Sequence, residues 1–244
     1  MREYAIHIDL RNPGQFFACC GILYCADRMF KHAEGYFKDE KFLITADCDG
    51  SPIDEILKKI KGDTVRMTKQ DSEKADSPLD LCMIPMRFDF YNHIDNRPKI
   101  KLFAGQEKFK DILSRWLDHV KKYDGENTSS LHGFNEIDIP SGLDADTSWN
   151  ALDVGFSLNE QRMERRTYPL VEFFAHVGIQ AYAWSKNRQV YKYRTWPISL
   201  PITIARAVAS GAIRLPGARC FEFRAKKSGQ KQVLNTSYEV SEAS

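Results

Sequence analysis

With 244 residues, 43% of them hydrophobic and 12% aromatic, the chain has enough apolar material for a substantial core in one large domain or two small ones. No apolar run approaches the roughly 20 residues of a bilayer span, and the start, MREYAIHIDLRN, has neither a signal-peptide core nor a cleavage site, so a cytoplasmic protein without a membrane segment is expected. The net charge of +2 conceals an asymmetry: residues 161–231 carry fourteen Lys and Arg against three acids, a sum of +11, residues 232–244 add −2, and residues 1–160 therefore sum to −7.

Along the chain, Tyr4 to Leu10 alternates as a strand, and Asn12-Pro13-Gly14-Gln15 reads as a helix start, with Asn at the cap, Pro at the first position and Gln three residues after the cap. The helix that follows, Phe16 to about Phe30, is apolar nearly all round, which predicts burial. Lys41 to Cys48 reads as a strand ending in an Asp49-Gly50 turn, and Pro52 to Ile60 as a helix with Ile53, Ile56, Leu57 and Ile60 on one side. Residues 63–80 are polar and loop-like, Leu81 to Tyr91 is strand-like, and Phe109, Ile112, Leu113, Trp116, Leu117 and Val120 share one face of an amphipathic helix. The Gly-, Ser- and Asn-rich stretch 124–148 reads as a hinge.

A similar order then returns: a strand at Ala151 to Leu158, a Pro169-led helix, a strand at Gln189 to Thr195 and a Pro201-led helix ending near Gly211. Cys220 to Lys226 alternates Phe221 and Phe223 inward with Glu222 and Arg224 outward, Lys226 to Lys231 forms a hairpin tip, and the last few residues are expected to be disordered. The two long helices share a pattern as well. Phe16-Phe17-Ala18-x-x-Gly21-Ile22-x-x-x-Ala26 and Phe173-Phe174-Ala175-x-x-Gly178-Ile179-x-x-x-Ala183 agree at six of eleven positions. A mid-helix Gly costs about 1 kcal/mol relative to Ala, so Gly21 and Gly178 point to close approach of another backbone. The expected fold is therefore α+β: two related strand-helix-strand-helix halves, an acidic one at residues 1–124 and a basic one at 149–244, joined by a loop at 125–148 and closed by a C-terminal β-hairpin.

The run Asn12-Pro13-Gly14-Gln15-Phe16-Phe17-Ala18-Cys19-Cys20-Gly21-Ile22-Leu23, with Ala26-Asp27-Arg28, Ala33-Glu34-Gly35-Tyr36-Phe37, Ser148 to Ser157 and Tyr168 to Ala183, resembles the short large-subunit-like protein of subtype I-G (formerly I-U) CRISPR-Cas systems. The resemblance touches both halves and transfers no functional residue. It implies membership in an RNA-guided, Cascade-type surveillance complex of antiviral defence. The partners it implies are guide RNA, target DNA, the backbone subunits of the complex and a separate helicase-nuclease.

Catalytic signatures are scarce. No P-loop, G-x-G-x-x-G, H-E-x-x-H or G-x-S-x-G is present, so no cofactor and no enzyme activity is expected. The six cysteines include no C-x-x-C pair, which argues for buried free thiols over zinc or disulfides. Glu172, His176 and Gln180 fall at i, i+4, i+8 on one helix face, where a hydrogen-bonded Glu172–His176 pair is one reading. The alternative is His176 as general base of a metal-independent, guide-RNA-processing endoribonuclease. Asp144, Asp146 and Asp153 lack accompanying ligands, and His7, His32, His93, His119 and His132 stand alone in the sequence.

For nucleic acid the residues are more specific. Tyr182 to Trp196 interleaves five aromatic rings with Lys186, Arg188, Lys192 and Arg194, and phosphates want such cations while bases stack on such rings. On a strand at 189–195, Lys192 and Arg194 face outward, with Trp196 as a stacking ring; the opposite facing, with Tyr191 and Tyr193 stacking on bases, is the alternative. Arg162, Arg165 and Arg166 before the Pro169 helix, and Lys226, Lys227 and Lys231 at the hairpin tip, are the further candidate contacts. A purely structural subunit is the remaining alternative.

Overall fold

The computed structural model describes residues 2–67, 79–81, 84, 86–88, 109–123, 131–132, 136–137, 142–147, 166–182, 185–187, 190–228 and 231–241. Within them the protein is α+β, with antiparallel sheets and five helices: α1 (Pro13–Met29), α2 (Pro52–Ile60), α3 (Phe109–Lys121), α4 (Pro169–Ala181) and α5 (Ile202–Ser210). No helix among the described residues is long and apolar enough to cross a membrane.

Helix α1 starts where its sequence says. Asn12, fully buried, accepts the N–H groups of Gly14 and Gln15 on Oδ1, and Pro13 follows at the first position, where its missing N–H is no loss. Both α1 and α4 are apolar nearly all round because both are core elements, and they cross each other directly. At the crossing, a Cβ on Gly21 would lie 2.0 Å from the Phe174 carbonyl oxygen, and a Cβ on Gly178 would lie 1.8 Å from that of Phe17. The two repeats thus meet reciprocally, each glycine against the phenylalanine backbone four residues before the other. The entropic cost of glycine in a helix is exchanged for backbone-to-backbone packing.

Two sheets flank this pair. The first has the order β1 (Tyr4–His7), β3 (Lys41–Asp47), β2 (Lys31–Lys38), β11 (Leu200–Pro201), so a strand from the basic half completes the sheet of the acidic half. The second runs β13 (Lys231–Leu234), β12 (Cys220–Ser228), β10 (Val190–Arg194), β9 (Ser185–Asn187), with β14 (Tyr238–Val240) also on β12. Smaller pairings are β4 (Val65–Met67), β5 (Leu79–Leu81) and β6 (Met86–Phe88), and β7 (Glu136–Ile137) with β8 (Arg166–Thr167). Elements of both halves share one hydrophobic core, in which Phe16 stacks on Tyr193 at 4.3 Å and Phe37 meets Trp196 edge-on at 4.8 Å.

Three expectations are corrected. Tyr4 to Leu10 is strand only to His7, because Arg11 N–H and guanidinium turn back onto Asp9 ahead of the helix cap. Loop 63–80 carries strands β4 and β5 at its two ends. Residues 142–147 of the expected hinge are clamped: Glu172, wholly buried, accepts the N–H groups of Leu143 and Asp144, while Asn12 accepts that of Ala145 and donates to Asp144 Oδ1 at 2.6 Å. After the expected hairpin the chain adds β14, and Ser237 N–H donates to the Arg11 carbonyl at 2.7 Å, while residues 242–244, at the end expected to be disordered, lie outside the described residues. The strand expected at Ala151 to Leu158 lies outside the described residues.

Candidate nucleic-acid interface

Strand β10 has two unlike faces, and the register with β12 fixes both. Tyr191 sits opposite Phe223 and Tyr193 opposite Phe221, with rings stacked at 5.2 and 5.4 Å, and all four are buried. Burial raises the Tyr193 hydroxyl pKa well above the usual phenol range, and that hydroxyl donates to the Leu10 carbonyl at 2.7 Å. The other face carries Lys192 and Arg194 from β10 and Glu222, Arg224 and Lys226 from β12, so cations outnumber acids there by four to one. Lys192 Nζ lies 3.4 Å from Glu222 across the strands, and Glu222 also accepts the Tyr238 hydroxyl.

The tyrosines therefore face the core and the half-buried Lys192 points to the other side, while Trp196 departs from its expected role. The strand ends at Arg194, Thr195 N–H is taken by the Arg219 carbonyl, and the period-2 alternation no longer governs the next side chain. Trp196 turns inward, is fully buried, and donates its indole N–H to the Gly35 carbonyl at 2.7 Å. It ties the basic half to β2 and offers no ring to a base. Arg194 is also committed locally. Its guanidinium lies against Gly211, the left-handed C-cap of α5 at φ 81°, so close that a Cβ there would fall 2.0 Å from Nη1. A cation at a helix C-terminus meets the negative end of the helix dipole, which explains the placement.

At the hairpin, Lys226 and Lys227 pair with Val233 and Gln232, and Ser228 pairs with Lys231, so the three lysines occupy the last turns of one two-stranded ribbon. Arg166 lies on β8, on the far side of α4 in the chain, and Lys186 on β9 opposite Tyr191. Arg162, Arg165 and Arg188 lie outside the described residues. The structure thus brings Lys192, Arg224 and Lys226 to one sheet face with the hairpin lysines beyond them. Arg224, exposed on that face, is a further contact candidate, and the alternation of Cys220 to Lys226 is the signal in the sequence that points it outward.

The candidate base lies elsewhere. His176 is wholly buried in α4 with its ring 5.2 Å from that of Phe109, and burial lowers its pKa to about 3. A neutral imidazole with no exposed surface does not reach a phosphodiester. Its polar neighbour Glu172 is spent on the 142–147 loop.

One polar pocket was invisible in the sequence, because its walls come from three distant segments. His7, Asp9, Arg11 and Gln15, with Glu40 and with His132 and Asp146, line about 360 Å³ at the start of α1. Gln15 organises it: its carbonyl accepts the Asp9 N–H at 2.7 Å, and its amide lies 3.0 Å from both Asp146 Oδ2 and His132 Nε2. With both amide hydrogens donated, the His132 Nε2 is an acceptor, which places that ring's proton on Nδ1. Behind it the buried Asp144 has its pKa raised by desolvation, opposed by the Asn12 hydrogen bond. Three carboxylates surround one Arg11 that is itself paired to Asp9 at 3.2 Å, so the pocket repels phosphate and belongs to a different surface from the cationic sheet. Among the described residues no three His, Cys, Asp or Glu side chains are arranged to hold a metal ion, and Cys19, Cys20 and Cys25 are buried thiols whose pKa burial pushes up.

Comparison with known protein families, with curated proteins and with solved structures finds no match to this chain.

Proposed function

We propose that the chain is a non-catalytic nucleic-acid-binding subunit of an RNA-guided CRISPR surveillance complex in the cytoplasm. It contacts guide RNA or target DNA with the outer face and hairpin tip of the five-stranded sheet, docks on backbone subunits, and leaves strand cleavage to a separate helicase-nuclease. The observation that carries the nucleic-acid part is the split of β10 and β12: rings inward, Lys192, Arg224 and Lys226 outward, with the lysine hairpin beyond. The resemblance of both halves to the subtype I-G protein supports the assignment to that complex.

Because Tyr182, Tyr191, Tyr193 and Trp196 are all buried, the contact proposed for β10 is to phosphates; Trp184 lies outside the described residues, and the ring exposed on this sheet is Tyr238, on β14 opposite Glu222. Such binding is indifferent to base sequence and strongly dependent on salt. The experiment is fluorescence anisotropy of labelled single-stranded DNA and RNA of several sequences with the purified chain. Similar affinities across sequences and a fall of more than tenfold between about 50 and about 200 mM salt are expected, the signature of several released counterions. No binding, or binding insensitive to salt, would leave a structural subunit as the better reading.

A further inference from the structure

The basic half carries a second surface whose chemistry differs from that of the lysine hairpin. Among the described residues the exposed large apolar side chains are Ile198, Ile204, Ile213 and Tyr238, and three of these four fall within sixteen residues of chain around α5. Solitary exposed apolar residues are ordinary, whereas a concentration of them marks an interaction site. Two of the three are also linked through the helix end. Ile213 N–H donates to the Ala207 carbonyl at 3.1 Å, which closes the chain over the last turn of α5, and Ile204 lies one turn before Ala207. Small residues, Ala207 and Ser210, separate the larger Ile204 and Ile213, and a low strip between raised side chains is the shape into which a ridge of another helix packs.

The charges on this surface decide the partner. Between Glu172 and Glu222 the sequence contains no Asp or Glu, and from Ile198 to Gly217 the cations are Arg206 and Arg214, both exposed, with no lysine. Protein interfaces are enriched in arginine and depleted in lysine, as this segment is. Phosphate-binding surfaces rely on clustered cations, and this one presents only two between Ile198 and Gly217. At its margin Glu34 of β2 accepts the Ser199 hydroxyl at 3.0 Å. The backbone is held in place: Gly211 ends the helix in the left-handed region, Arg194 packs beneath it, and β11 pins the helix start to β2.

We infer that α5 and the 212–217 segment form a docking surface for an acidic amphipathic helix of a partner protein, its apolar stripe over Ile204, Ala207 and Ile213 and its carboxylates toward Arg206 and Arg214. This surface shares no residue with the sheet face or the lysine hairpin, so its failure leaves the nucleic-acid reading standing, and the reverse holds.

The test uses the full chain and three labelled probes: a synthetic amphipathic helix with Leu on one face and Glu on the other, its counterpart with Lys in place of Glu, and an oligothymidylate single strand. Saturable binding of the Glu helix is expected, with the Lys helix at least tenfold weaker. Ile204→Asp and, separately, Arg214→Glu should each weaken the Glu helix at least tenfold and leave oligothymidylate binding within twofold. Both positions are exposed, and an unchanged melting temperature of each variant ensures that folding is not what is read. Equal binding of the two helices, or a Glu-helix affinity that neither substitution alters, overturns the inference. So does a loss of oligothymidylate binding in Ile204→Asp, which would give the surface to nucleic acid.

Discussion

Where α1 crosses α4, backbone lies on backbone and no side chain larger than hydrogen fits; on the outer face of the five-stranded sheet, Lys192 and Lys226 are half-buried and Arg224 is exposed. The first region is specified by exclusion: Gly21 and Gly178 are required because the Phe174 and Phe17 carbonyls occupy the space a Cβ needs. The second is specified by the alternation of β10 and β12, with Lys192 paired to Glu222 across the strands. Substitutions at the crossing therefore act on folding, and substitutions on the sheet face act on binding. The contrast also separates the two readings of Trp196, which follows β10 of the sheet in sequence but is packed in the core against Gly35 and Phe37.

The largest effect expected is at that residue. Trp196→Ala removes a fully buried indole and its bond to Gly35, and should destabilise by about 3 to 5 kcal/mol as measured by urea unfolding. Next come Gly21→Ala and Gly178→Ala. Each inserts a methyl against a backbone oxygen with no rotamer to relieve it, and a loss of about 3 kcal/mol, the upper end of overpacking, is expected in the same assay. Loss of less than about 0.5 kcal/mol would mean the helices can slide apart.

A third, smaller effect distinguishes the two helices at matching positions of the repeat, Cys19 and His176. His176 is neutral in the fold with its pKa lowered to about 3, while the unfolded chain takes up a proton near 6.5. Its contribution to stability is thus fully present above pH 6.5 and is lost as the pH falls from 6.5 toward 3, at up to about 1.4 kcal/mol per pH unit. In His176→Phe this loss should vanish, so the difference in stability between the two proteins changes between pH 7 and pH 4.5. For Cys19→Ala no such change is expected, since the buried thiol is neutral throughout that range. Parallel pH curves for wild type and His176→Phe would show the imidazole to be solvated. Smallest of all, Lys192→Ala should alter stability by less than about 1 kcal/mol, because its pair with Glu222 is partly exposed, yet lower the salt slope of binding by roughly 1.

The helices were legible where sequence chemistry is local. Asn12-Pro13 marks the α1 start, the stripe from Phe109 to Val120 marks α3, and Pro201 with Gly211 brackets α5. The reciprocal glycines could be read as a close approach, but which backbones meet is a tertiary fact. Strand β2 was missed because Gly35 and charged ends mask its alternation; the inward Ala33, Gly35 and Phe37 make sense only once Trp196 and Phe42 are packed against Gly35. On the candidate interface, alternation predicted the outward lysine and the inward tyrosines of β10, and failed one residue past the strand, at Trp196. The polar pocket could not be read at all, since His7, Gln15 and His132 gain their meaning from the loop that Glu172 and Asn12 hold in place.

The most direct test of the cationic sheet as a nucleic-acid surface is the slope of log K against log salt for a single-stranded oligonucleotide, compared between wild type and a variant with Lys226, Lys227 and Lys231 all replaced by Ala. If the three lysines contact phosphates, the slope becomes shallower by up to roughly 3 while the melting temperature hardly moves. A slope that is unchanged in a folded triple variant would contradict the assignment of the hairpin to the binding surface.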